Sequence, residues 1–131
     1  MSQGPLTLIW LAVTFDNDEY TAELASDKLK TLIDVEAVQH PWQQISIIIR
    51  IAPPTALGSD PITILAHIDS INRDGITSDL PTPGAGDDGS GTVTILEAFR
   101  ALLVANYVPV SPVEFHFCAG EEGGLLNSQK V

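Results

Sequence analysis

Ile62-Thr63-Ile64-Leu65-Ala66-His67 opens the stretch whose reading decides the fold. A short apolar run bounded by turn residues fits a strand covered on both faces, and Pro53, Pro54, Gly58 and Pro61 supply the turn residues on its amino side. Downstream, Ile95, Leu96, Phe99, Leu102 and Leu103 recur at i, i+1, i+4, i+7 and i+8, the stripe of an amphipathic helix. Asp88 or Ser90 stands where its N-cap belongs. Residues 113–119 then alternate into another strand, which Gly120 ends. Strand, helix and strand in that order form a β-α-β unit, so the two strands run parallel and their crossover is right-handed.

Upstream, residues 35–40 read as a short strand broken by Pro41, and the β-branched run 45–51 pairs with it as an antiparallel hairpin. Asp16 and Asn17 can cap a helix over 18–33, in which Ala22, Ala25, Leu29 and Leu32 recur at spacings of three and four. The predicted class is α/β, a three-layer α/β/α arrangement on a mixed sheet with an antiparallel hairpin followed by parallel strands, in one domain over 1–131. Ligands gather at the carboxyl ends of parallel strands. His67 lies at one such end and Glu121-Glu122 at the other.

Composition narrows the function. With 44% apolar residues the 131-residue chain can build one core, and a formal net charge of −11 repels phosphate backbones and anionic lipid, which argues against nucleic-acid and membrane-surface partners. A single cysteine, Cys118, allows neither an internal disulfide nor a four-cysteine zinc site. The apolar run 6–13 is far short of the roughly 20 residues that span a bilayer. No Lys or Arg precedes it, as a secretory leader would require.

Three constellations carry chemistry. His67-Ile68-Asp69 places a carboxylate two residues from an imidazole, the pairing that fixes the tautomer of a metal-bound histidine. Pro83-Gly84-Ala85-Gly86-Asp87-Asp88-Gly89-Ser90-Gly91 satisfies a dinucleotide-binding glycine pattern, but Pro81-Thr82-Pro83 is no strand, and the two aspartates would sit where a pyrophosphate belongs. Two acids among glycines suit a cation instead. In Glu121-Glu122, consecutive acids on a bend diverge, so one can ligate a metal while the other acts as general base. His67, Asp87 and Glu122 all fall at one edge of the predicted sheet, and nitrogen plus carboxylate donors fit zinc or a similar divalent ion. His40 and His116 lie in strand-like runs and read as structural histidines. Cys118 reads as a small core residue, and Trp10 and Trp42 as packing.

In this order the motifs resemble the co-catalytic dizinc aminopeptidases of the bacterial and fungal leucine aminopeptidase type. The resemblance rests on residues 66–70, 83–98 and 119–128, with residues 40–48 similar to the stretch before that family's first metal ligand. It implies that His67 binds one zinc, Asp87 bridges two, Glu122 binds the other, Glu121 is the general base and Asp69 orients His67. It also implies a cis peptide between Asp87 and Asp88, and a secreted or vacuolar location. The reaction implied is hydrolysis of the first peptide bond of a substrate with a free N-terminus, releasing an apolar residue such as leucine through zinc-activated water.

The sequence departs from that family at Gly86, where an acid or amide is usual, and at Gly120, where alanine is common. The later Asp and His that complete the family's two zinc shells lie past Val131. Catalytic zinc keeps three protein ligands, so weak or no activity is expected of this chain as a fragment of such a domain. The alternative is a non-catalytic, partner-dependent acidic α/β module with weak divalent-metal binding. An unpaired sheet edge would favour self-association.

Overall fold

The computed structural model describes residues 26–42, 44–56, 58–72 and 83–126. Four strands, β1 (Ile33–Val38), β2 (Ser46–Ile51), β3 (Ile62–His67) and β4 (Val113–Cys118), form one sheet in the order β1-β2-β4-β3. The β1–β2 and β2–β4 pairs are antiparallel, and β3 runs parallel to β4. Helix α1 spans Asp27–Lys30 and helix α2 spans Ser90–Val104. This is the mixed α/β sheet the pattern predicts. Among the described residues no helix is long and apolar enough to cross a membrane.

The core lies between the sheet and α2. Ile95, Phe99 and Leu103 from the helical stripe meet Ile47, Ile49, Ile51, Ala66, Phe115 and Phe117, and Leu29 of α1 closes one side. Phe99 and Phe115 pack edge to face at 5.4 Å, a geometry worth about 1 kcal/mol beyond the area buried. Both described helices therefore serve one face of the sheet.

Strand β4 is buried along its whole length, although it contains Glu114 and His116. The carboxylate of Glu114 accepts from Arg50 Nε at 2.6 Å and faces His116 Nε2 at 2.8 Å. Pairing on both oxygens is what lets a charged side chain enter a central strand. His116 is a structural histidine, as the sequence suggests.

Several boundaries differ from expectation, among them the start of β2 at Ser46 and the end of β4 at Cys118. Of the helix expected over 18–33 the described residues show only Asp27–Lys30, capped by the extended backbone and hydroxyl of Ser26. Asp16, Asn17, Ala22 and Ala25 lie outside the described residues. The next strand starts at Ile33, because Ile33 and Val35 pair with Ile51 and Ile49, so sheet pairing overrides the helical period. That strand also ends at Val38 and not at 40, so His40 stands in the turn before β2.

Candidate active site

Parallel pairing brings the site together. His67 is in register with Cys118, and Ile68 N–H donates to the Cys118 carbonyl at 2.8 Å, so the segments that leave β3 and β4 emerge side by side. Gly120 turns the second segment with φ +80°, a conformation that favours glycine. The carboxylate of Asp69 then receives both following amides, Glu121 N–H at 3.1 Å on Oδ1 and Glu122 N–H at 2.9 Å on Oδ2. Amide bonds to a carboxylate are charge-assisted. Asp69 thus fixes the course of the Glu121-Glu122 turn.

His67 is held by its backbone and by its ring. Its N–H donates to Asp88 Oδ2 at 3.3 Å, and its carbonyl accepts from Thr92 Oγ1 at 3.1 Å. Nδ1 lies 2.9 Å from the Asp69 carbonyl and 3.6 Å from its carboxylate. The nearer partner is the carbonyl, so Asp69 holds the ring chiefly through its backbone. A carbonyl only accepts, which puts a hydrogen on Nδ1 and leaves Nε2 as the nitrogen facing the acids. Nε2 lies 3.0 Å from Asp87 Oδ1 and 3.7 Å from Glu121 Oε2.

The electrostatics follow. Burial pulls the His67 pKa down, but the bond to Asp87, the Asp69 carbonyl and the charges of Glu121 and Asp69 outweigh it, leaving the pKa above the 6.5 of a free imidazole. A proton or a cation between Nε2 and the carboxylates is favoured by the same charges.

Asp87 enters from the turn before α2, where Gly89 N–H closes on the Gly84 carbonyl at 2.7 Å. The Asp87–Asp88 peptide is cis, as the resemblance implies. Asp88 faces inward. Its Oδ1 accepts Gly91 N–H at 3.0 Å while Oδ2 takes the His67 amide, and a Cβ on residue 91 would fall within its carboxylate. Of the two expected caps Asp88 does the work, and the Ser90 hydroxyl donates instead to the Gly86 carbonyl. Asp87 remains three-quarters exposed. A cleft of about 400 Å³ lined by Asn72, Gly84, Gly86, Asp87 and Glu122 opens beside it.

All five residues singled out from the sequence therefore lie at one end of the sheet. His67, Asp69, Asp87 and Glu121 converge, and Glu122 shares the cleft with Asp87. Among the described residues no three His, Cys, Asp or Glu side chains form a cluster of closed metal-binding geometry. Sequence reasoning missed Asp88 and Thr92 as supports of His67, and Gln44, whose Nε2 donates to the Ile68 carbonyl at 3.3 Å. For Asp88 the signal was present, since an acid three residues before a free helical amide is a cap.

Comparison with known proteins identifies the family. Residues 46–131 match the family described as Peptidase family M28. The chain is 45% identical over 132 residues to leucine aminopeptidase 1 of Ajellomyces capsulatus, covering 98% of this chain and 32% of that protein. It is 52% identical over 101 residues to leucine aminopeptidase 1 of Blastomyces gilchristii, covering 74% of this chain and 25% of the other. Among solved structures, Legionella pneumophila LapA aminopeptidase superposes with TM-score 0.76 at 32% identity, over 98% of this chain and 31% of that one. The chain spans about a quarter to a third of the length of these relatives. With the family match over residues 46–131 and the ordered site residues inside it, this chain is a member of peptidase family M28.

Proposed function

We propose that the chain contributes to the catalytic centre of a zinc-dependent aminopeptidase that hydrolyses the first bond of a peptide with a free N-terminus, with apolar residues such as leucine released. The observation that carries this reading is the placement of His67 Nε2 opposite Asp87 Oδ1 and Glu121 Oε2, with the opposite ring nitrogen tied to a carbonyl. One imidazole nitrogen and several carboxylate oxygens are a donor set that suits zinc. His67, Asp87 and Glu122 would hold the metal, two ions in the family's arrangement. Bound zinc supplies Lewis acidity and acidifies water.

The chain's own residues supply the rest. Glu121, partly exposed and set by Asp69, would take a proton from the water whose oxygen bonds to the scissile carbonyl carbon and give it to the amine nitrogen as the C–N bond breaks. His67 must lose the proton on Nε2 to ligate, so metal and proton compete at that atom. The net negative field of the site favours the free amino terminus of a substrate over its carboxyl end.

A second reading has one observation in its favour. The absence of a closed three-ligand cluster among the described residues fits a non-catalytic acidic module with weak divalent-ion binding. Zinc titration of the wild-type chain, His67→Ala and Glu121→Gln, with leucine p-nitroanilide turnover in the same samples, separates the two. The aminopeptidase reading expects zinc binding lost in His67→Ala, and zinc binding retained without turnover in Glu121→Gln. Zinc affinity indifferent to His67→Ala would overturn it.

A further inference from the structure

The segment between β1 and β2 and the first residue of β2 hold four side chains at every second position, His40, Trp42, Gln44 and Ser46. None has a role in the chemistry above, yet Trp42, Gln44 and Ser46 touch the segments that leave β3 and β4, and His40 supports Trp42 and Ser46. Ser46 is 2% exposed, and its hydroxyl accepts the Ala119 N–H at 3.0 Å, two residues before Glu121. His40 Nε2 lies 2.7 Å from the same oxygen. The His40 ring stacks on Trp42 at 4.4 Å and 10° between planes, and the Trp42 indole covers Gly120 so closely that a Cβ there would stand 3.2 Å from its ring. Gln44 reaches the other strand end through its bond to the Ile68 carbonyl, between His67 and Asp69.

From these contacts we propose that His40, Trp42, Gln44 and Ser46 form a brace that positions the His67–Asp69 and Gly120–Glu122 segments relative to each other. Asp69 binds the two segments from inside the site, and the brace binds them from outside. The parallel strands alone fix their ends only through backbone pairing, which stops at Ile68 N–H and the Cys118 carbonyl. Beyond that point the Asp69 carboxylate and the brace both tie the glutamate turn. These four are positioning residues, acting through Gly120 and Ile68 and not on a substrate. The inference deepens the metal-site reading and rests on it for its consequence in zinc affinity.

Among the described residues the indole N–H of Trp42 is buried without a hydrogen-bond partner. Trp42 is thus held by ring packing and not by a polar contact, which makes Phe the conservative replacement and Leu the disruptive one. The test is amide hydrogen exchange of the full chain, read at Ala119, Glu121 and Glu122 against the β1 and β2 amides, for Ser46→Ala, Gln44→Ala, Trp42→Leu and Trp42→Phe, with zinc affinity measured on the same proteins. The brace predicts that Ser46→Ala and Trp42→Leu speed exchange at Glu121 and Glu122 at least tenfold while β1 and β2 stay protected. It also predicts that Gln44→Ala weakens zinc several-fold and that Trp42→Phe restores wild-type behaviour. Exchange at Glu121 and Glu122 unchanged in Ser46→Ala and Trp42→Leu would overturn the brace, as would a uniform rise across all strands. If the wild-type chain binds no zinc, the metal reading fails, and the exchange measurement still decides the brace.

Discussion

Asp69 is the residue on which the site turns. Its carboxylate takes two amides and its carbonyl takes the His67 ring, so Asp69→Ala removes the acceptor of two part-buried donors. A donor left unsatisfied costs about 1–3 kcal/mol, and the variant is expected to lose about 2 kcal/mol in urea denaturation. Its larger effect falls on the glutamate turn, with Glu121 and Glu122 amides exchanging freely. His67 is legible at the same scale. Its pKa lies above 6.5 because of its acidic neighbours, so the stability it contributes is complete below 6.5 and is lost as pH rises through the folded pKa. Asp87→Asn removes the leading favourable contact, and NMR titration of the ring should show the pKa falling back toward the free value. Metal affinity carries the opposite sign and rises with pH, as the proton leaves Nε2.

Among the elements, β4 shows how a charged strand is buried. Burial pushes the Glu114 carboxyl up, but His116 and Arg50 hold it below the 4.5 of a free glutamate. A carboxylate of lowered pKa adds stability that is present above 4.5 and lost as pH falls through the folded value. Glu114→Gln should therefore lower stability at neutral pH by about 1–3 kcal/mol and flatten its decline in acid, as read by denaturation at a series of pH values. The α2 stripe and the runs 45–51, 62–67 and 113–119 were legible to within a residue because buried apolar residues repeat with the period of the element that holds them. The helix over 18–33 was misread at its end because Leu29 and Leu32 keep a helical spacing while Ile33 and Val35 are taken by β2. At the site the residue types and their order were legible, together with the end of the sheet they occupy. The brace was not, because Ser46 and Trp42 acquire meaning only when Ala119 and Gly120 arrive, Ala119 from 73 residues away, and Gln44 only when Ile68 follows β3.

At the scale of the whole molecule, shape and charge pull against each other. Among the described residues β3 pairs only with β4, and Ile62, Ile64 and Leu65 are exposed along it. Such an edge favours pairing with another strand, while a net charge of −11 keeps copies apart until salt screens it. Sedimentation should show association that rises with protein concentration and with ionic strength, and Ile64→Lys should suppress it. The same negative charge concentrates cations near the cleft of Asp87 and Glu122. The proposed metal site of His67, Asp87 and Glu122 lies at the carboxyl end of β3 and β4. Its most direct test is calorimetric zinc titration of the 131-residue chain beside Asp87→Ala. Saturable binding by the wild type and at least tenfold weaker binding by the variant are expected, whereas equal affinity in the two would contradict the proposed site.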